Sequence, residues 1–143
     1  MFMFGVMMFL HIVGSLALGF YLILPLVFGK VAKLSPAAQE GTVAAVKTYN
    51  TYAQIGLVVQ LLTGGYLMTK SEYTLAWMTV VVLLFLAIGA FSGIMGKPLR
   101  QALENIRSNK GIGDVFGKLR TFSALLSVCV LLISFFMVFR SII

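Results

Sequence analysis

The stretch "MFGVMMFLHIVGSLALGFYLILPLVF", Met3 to Phe28, decides the fold. It holds no lysine, arginine, aspartate or glutamate. A bilayer's hydrocarbon core needs only about 20 apolar residues, each rising 1.5 Å along a helix. The one polar intruder of note is His11, the single histidine of the chain. The stretch has no basic leader, is too long for the apolar part of a signal peptide, and shows no clean small-residue cleavage site before Lys30. It is therefore expected to span a membrane.

The rest of the chain is built the same way. Of 143 residues, 60% are hydrophobic and 10% charged, with a mean hydropathy of +1.03, which excludes an ordinary soluble domain. Three further runs reach spanning length: Tyr49 to Thr69, Tyr73 to Met95 and Leu119 to Phe139. The expected architecture is all-α, one domain over 1–143, a polytopic membrane protein with a four-transmembrane-helix up-down bundle. Its spans are predicted at 3–28, 49–69, 73–95 and 119–139.

Charge supplies the orientation. Lysine and arginine collect in cytoplasmic loops. Lys30, Lys33, Lys47, Lys97, Arg100, Arg107, Lys110, Lys118 and Arg120 flank two loops on one side, and only Lys70 and Arg140 fall on the other. This predicts a bacterial plasma (inner) membrane protein, multi-pass, with both termini outside. The net charge of +7 then reflects topology and does not point to nucleic acid. Tyr49 and Tyr52 would mark the inner interface, and Tyr66, Tyr73 and Trp77 the outer one. The lone Cys129 excludes an internal disulfide and any paired-cysteine motif.

Between the spans, Pro25 offers a bend because it frees the carbonyl of Tyr21. "KLSPAAQE" reads as a helix start with Ser35 as N-cap and Pro36 in the first turn. The second span is then the continuation of a cytoplasmic helix. Lys70 to Glu72 is a tight turn. "KPLRQALENIRSNKG" puts Leu99, Leu103 and Ile106 on one face, predicting an amphipathic cytoplasmic connector lying on the inner leaflet. "GIGDVFG" (111–117) reads as a glycine-punctuated loop without the lysine of a phosphate-binding loop.

Small residues mark the packing faces. They are Ser15 and Gly19; Gly56, Gln60, Thr63 and Gly64; Gly89, Gly93 and Gly96; and Ser123, Ser127 and Ser134. These faces serve either the bundle itself or a homodimer or larger membrane complex.

Chemistry concentrates at His11. An imidazole at membrane depth needs a polar partner, and Gln60, Thr63 or a serine is the expected one. With this orientation Met3, Met7, Met8, Met68, Met78 and Met137 fall in the outer half, and Met95 toward the inside. Met7 lies one helical turn before His11. Thioether and imidazole together suit Cu(I), and a His/Met pair is also an axial set for haem iron, such as haem b. The site residues expected for a metal are therefore His11, Met7, Met8, Met68, Met78 and Met137. The acidic residues Glu40, Glu72, Glu104 and Asp114 all fall in loops or at interfaces, against a transporter built on buried carboxylates. No hydrolase or metalloprotease motif is present.

The segments "FLHIVGSLALGFYLILP", "IGLVVQLLTGGYLM", "YTLAWM" and "GIMGKPLRQALENI" resemble the copper-resistance D group, most of all its small four-helix bacterial relatives. The resemblance runs from His11 to about Ile106. It implies an inner-membrane helical bundle and copper handling, with His11 at the position of the family's first-span histidine. A fainter likeness, through "LHI", runs to a class of membrane-bound protoporphyrinogen oxidases. The leading expectation is a non-enzymatic membrane protein binding copper or haem through His11. The alternatives are a structural or assembly subunit of a larger membrane complex and a haem-dependent membrane oxidoreductase.

Overall fold

The computed structural model describes residues 1–110 and 113–143, and among these every regular element is a helix. The helices are α1 (Phe2–Leu18), α2 (Phe20–Val31), α3 (Pro36–Lys70), α4 (Leu75–Ile94), α5 (Gly96–Arg107) and α6 (Gly113–Val138). Three stretches are long and apolar enough to cross a bilayer: Phe2–Val31, Leu75–Arg107 and Gly113–Val138. α3 is not among them, because Gln54, Gln60, Thr63 and Thr69 dilute the apolar run in its second half. Leu16, Leu61, Leu62, Leu83, Leu86, Val128 and Leu131 are each more than half exposed. A surface this apolar is suited to lipid as its solvent and would aggregate in water.

The apolar stretches Phe2–Val31 and Leu75–Arg107 are each divided into two helices. The first rod breaks at Gly19, where the Gly19 N–H donates to the Leu16 carbonyl and the Leu22 N–H to the Gly19 carbonyl, both at 3.1 Å. These three-residue turns are tighter than the α-helical four. Pro25, where the sequence offered a bend, sits inside α2. The third rod repeats the pattern. α4 ends at Ile94, four residues before Pro98, and α5 continues beyond Met95.

Ser35 caps α3 by accepting from the Ala38 N–H at 3.4 Å, with Pro36 in the first turn. α3 then runs for 35 residues, roughly 50 Å, well beyond a hydrocarbon core of about 30 Å. Thr74 caps α4 across the short turn after Lys70. Gly113 to Gly117 belong to the opening of α6, where the sequence suggested a loop; Gly111 and Ile112 lie outside the described residues. Asp114 in that first turn suits the positive end of the helix.

The core is concentrated at the end where α2, the first half of α3, α5 and the start of α6 meet. Tyr21, Leu24, Phe28, Val43, Leu99, Leu119 and Leu126 are almost wholly buried there. α5 is amphipathic as expected, yet its apolar face is not turned to the leaflet. Pro98, Leu99, Ala102, Leu103 and Ile106 are buried, packed toward α3 and α6. Arg107 Nε on its polar face pairs with Glu40 Oε1 of α3 at 2.9 Å. At the other end the rods separate into two pairs, α1 along α3 and α4 along α6.

Candidate functional site

The α1–α3 pair is held by missing side chains. A Cβ at Gly14 would overlap the Gln60 carboxamide oxygen. One at Gly56 would lie 3.2 Å from the Ala17 Cβ, and one at Gly64 would touch His11 Cε1 at 3.4 Å. The face of Gly56, Gln60, Thr63 and Gly64 is therefore the seam that receives α1. Gly14, rather than Ser15 or Gly19, is the close-approach residue on the α1 side.

That seam positions His11. Its Nδ1 lies 2.9 Å from Thr63 Oγ1, and the Thr63 hydroxyl donates to the Val59 carbonyl at 2.7 Å. A hydroxyl has one proton to give, so Thr63 must accept from His11 Nδ1–H. The proton is thereby fixed on Nδ1, and Nε2 keeps its lone pair with no hydrogen-bond partner among the described residues. Gln60 bonds elsewhere: its Nε2 donates to Ser15 Oγ at 2.8 Å, and Ser15 Oγ donates to the His11 carbonyl at 2.9 Å. The Gln60 Oε1 is buried without a partner.

Between the helix pairs lies a cleft. Its larger part, about 550 Å³, is lined from α1, α3, α4 and α6 by His11, Ser15, Gln60, Phe85, Val130 and Met137, among others. A smaller part of about 300 Å³ shares His11, Ser15, Gly64, Met68 and Met137 with it and adds Met8, Tyr73, Trp77 and Arg140. The structure thus gathers His11, Met8, Met68 and Met137 on one cleft. Met7 and Met78 are not among its lining residues.

The chain matches no protein-family model, no curated protein and no solved structure. The chemistry of the site must therefore be read from its own donors. Among the described residues no group of three or more His, Cys, Asp or Glu side chains could hold a metal. A hard cation, which wants oxygen ligands, has no cage here. His11, Met8, Met68 and Met137 do line one cleft, and imidazole and thioether are ligand types that a soft metal accepts.

Two features escaped the sequence reading. Trp77, expected in the outer aromatic belt, is packed within the bundle and only 2% exposed. Its Nε1–H donates to the Phe136 carbonyl at 2.7 Å, tying α4 to α6, and its ring stacks on Tyr73 at 4.4 Å. The second is a buried network in the core: Tyr21 OH donates to Asn50 Oδ1 at 2.6 Å, and Asn50 Nδ2 donates to the Ser92 carbonyl at 3.0 Å. Its signal was available, since Tyr21 heads the series Tyr21, Leu24, Phe28, Val31 that shares one helix face.

The glycines give a test of the seam. Gly14→Ala is expected to destabilise the protein by about 1 kcal/mol, because the overlapping end of the flexible Gln60 side chain must swing aside and give up its bond to Ser15. Gly89→Ala, with nothing within 4 Å of its Cβ position, is expected to be neutral or to stabilise by up to about 1 kcal/mol. Midpoints of SDS-induced unfolding in bicelles would compare them. Equal effects would mean the seam is not closely packed.

Proposed function

We propose that this chain is a four-span protein of the bacterial plasma membrane, with both termini outside, that holds Cu(I) through His11 and neighbouring methionines. The second half of α3 serves as the remaining span, with Gln60 and Thr63 turned onto α1 and away from lipid. The orientation follows from the nine cationic residues grouped toward one side. One observation carries the metal reading: His11 Nδ1 is engaged by Thr63 while Nε2 is left unpartnered, on a cleft that Met8, Met68 and Met137 also line. The resemblance to the copper-resistance D group points the same way. Bound copper would supply a thiophilic, redox-capable centre. The chain's own part is to hold the ligands and keep water away from them.

Copper and iron per chain, measured on protein purified in mild detergent, test the reading with His11→Ala alongside. Near-stoichiometric copper lost in the variant is the expected result. Iron with an intense haem absorption, also lost in the variant, would replace copper by haem as the ligand. Neither metal in the wild type would overturn the metal reading.

A second reading, a subunit of a homodimer or larger membrane complex, is favoured by Gly89, Gly93 and Gly96, whose Cβ positions meet nothing within 4 Å among the described residues. Stoichiometric partners, or a dimer weakened by Gly89→Leu, would support it. A monodisperse monomer would remove it.

A further inference from the structure

The cleft has a charged rim as well as an apolar interior. Arg140 stands at the rim, just beyond the end of α6. Its Nη1 donates to the Tyr73 hydroxyl oxygen at 3.1 Å, and its guanidinium lies 5.6 Å from the Tyr73 ring centre. No carboxylate pairs with Arg140 among the described residues; their one ion pair, Arg107 to Glu40, joins α5 to α3. The Tyr73 oxygen accepts from Arg140, so its own O–H remains free to donate. A guanidinium fork and an adjacent phenol form a donor set suited to a phosphate oxygen. Behind it the cleft runs past Met137 to Phe85, Ile88 and Val130, a wall with little polar surface.

We infer that the cleft takes one acyl chain of an anionic membrane phospholipid, whose phosphate sits on Arg140 and Tyr73. The charge at the rim selects the headgroup, and the apolar depth accepts the chain. A combined space of this size is in the range that buries a small amphiphile. A zwitterionic lipid offers the same chain, but its own cationic group offsets the attraction to Arg140. The inference rests on the chain spanning a bilayer with Arg140 at an interface. It does not require metal.

Trp77 provides the readout, because it is the only tryptophan, lines the rim and is shielded from bulk lipid. The full-length protein, stripped of metal with a chelator, is reconstituted into phosphatidylcholine vesicles. These contain a minor fraction of phosphatidylglycerol brominated on its chains, or the same fraction of brominated phosphatidylcholine. Brominated phosphatidylglycerol is expected to quench Trp77 with about five-fold greater apparent affinity, the worth of one arginine at an anionic surface. Arg140→Gln should abolish that preference and Arg140→Lys should keep most of it. Gly65→Leu, which adds a side chain to the larger part of the cleft and not to the part lined by Arg140, should reduce quenching by both lipids. Equal quenching by the two lipids in the wild type, or a preference that survives Arg140→Gln, overturns the inference. Because the protein is metal-free, either result leaves the copper reading to be judged on metal content alone.

Discussion

Tyr21→Ala is expected to lower the unfolding free energy by about 3 kcal/mol, the lower end of what truncating a buried aromatic costs. The lower end applies because α2 is apolar enough to stay in lipid when the bundle comes apart, so little transfer energy is at stake. What is lost is packing: Tyr21 is fully buried, and its ring contacts Phe20 at 4.3 Å between centres. Part of the loss is polar, since Asn50 Oδ1 would be left with no donor. Tyr21→Phe isolates that part. Hydrogen bonds between membrane helices average about 0.6 kcal/mol and reach about 1.7, so Tyr21→Phe should fall in that interval. A double-mutant cycle with Asn50→Ala, read by unfolding in bicelles, separates the pair energy from the cavity. A Tyr21→Ala effect below about 1 kcal/mol would contradict a close-packed core at this end.

The same core shows how far the amino-acid sequence could be read. Helix identity and the start of α3 at Ser35 were legible, because apolar run length and cap chemistry are local properties. The seam residues Gly56, Gln60, Thr63 and Gly64 were legible too, since a shared helix face follows from spacing alone. What spacing cannot tell is which neighbour a face meets. α5 looked like a leaflet-bound connector because an amphipathic helix has the same pattern whether its apolar side meets lipid or protein. Trp77 was legible only as an interface marker, and the Phe136 carbonyl beside its indole shows that it also ties α4 to α6. At the site, Thr63 and Gln60 were equal candidates for His11. Gly14 separates them: by leaving room for the Gln60 carboxamide it draws Gln60 past the imidazole toward Ser15. The cleft itself was invisible, because it arises from a pairing of rods. Arg140 mattered in the sequence only as a minority charge.

On the copper reading proposed above, Thr63→Val is expected to weaken copper binding by about 10- to 100-fold without unfolding the protein, the usual consequence of removing the group that orients a metal-ligating histidine. Valine preserves the branched shape of threonine at a position that is 2% exposed, so the α1–α3 seam should close around it. The hydroxyl that accepts from Nδ1–H would be gone. The imidazole could then move its proton to Nε2 and lose the lone pair that binds metal. Thr63→Ser restores the acceptor and should restore most of the affinity, which a purely steric role for Thr63 would not explain. Competition with a Cu(I) chelator of known affinity gives the three constants, and His11→Ala sets the floor. If Thr63→Val binds copper as tightly as the wild type while His11→Ala does not, the bond from Nδ1 is a packing contact and His11 is oriented by Gly64 alone. If all three proteins bind equally, the metal lies elsewhere and the cleft's imidazole serves only to join α1 to α3.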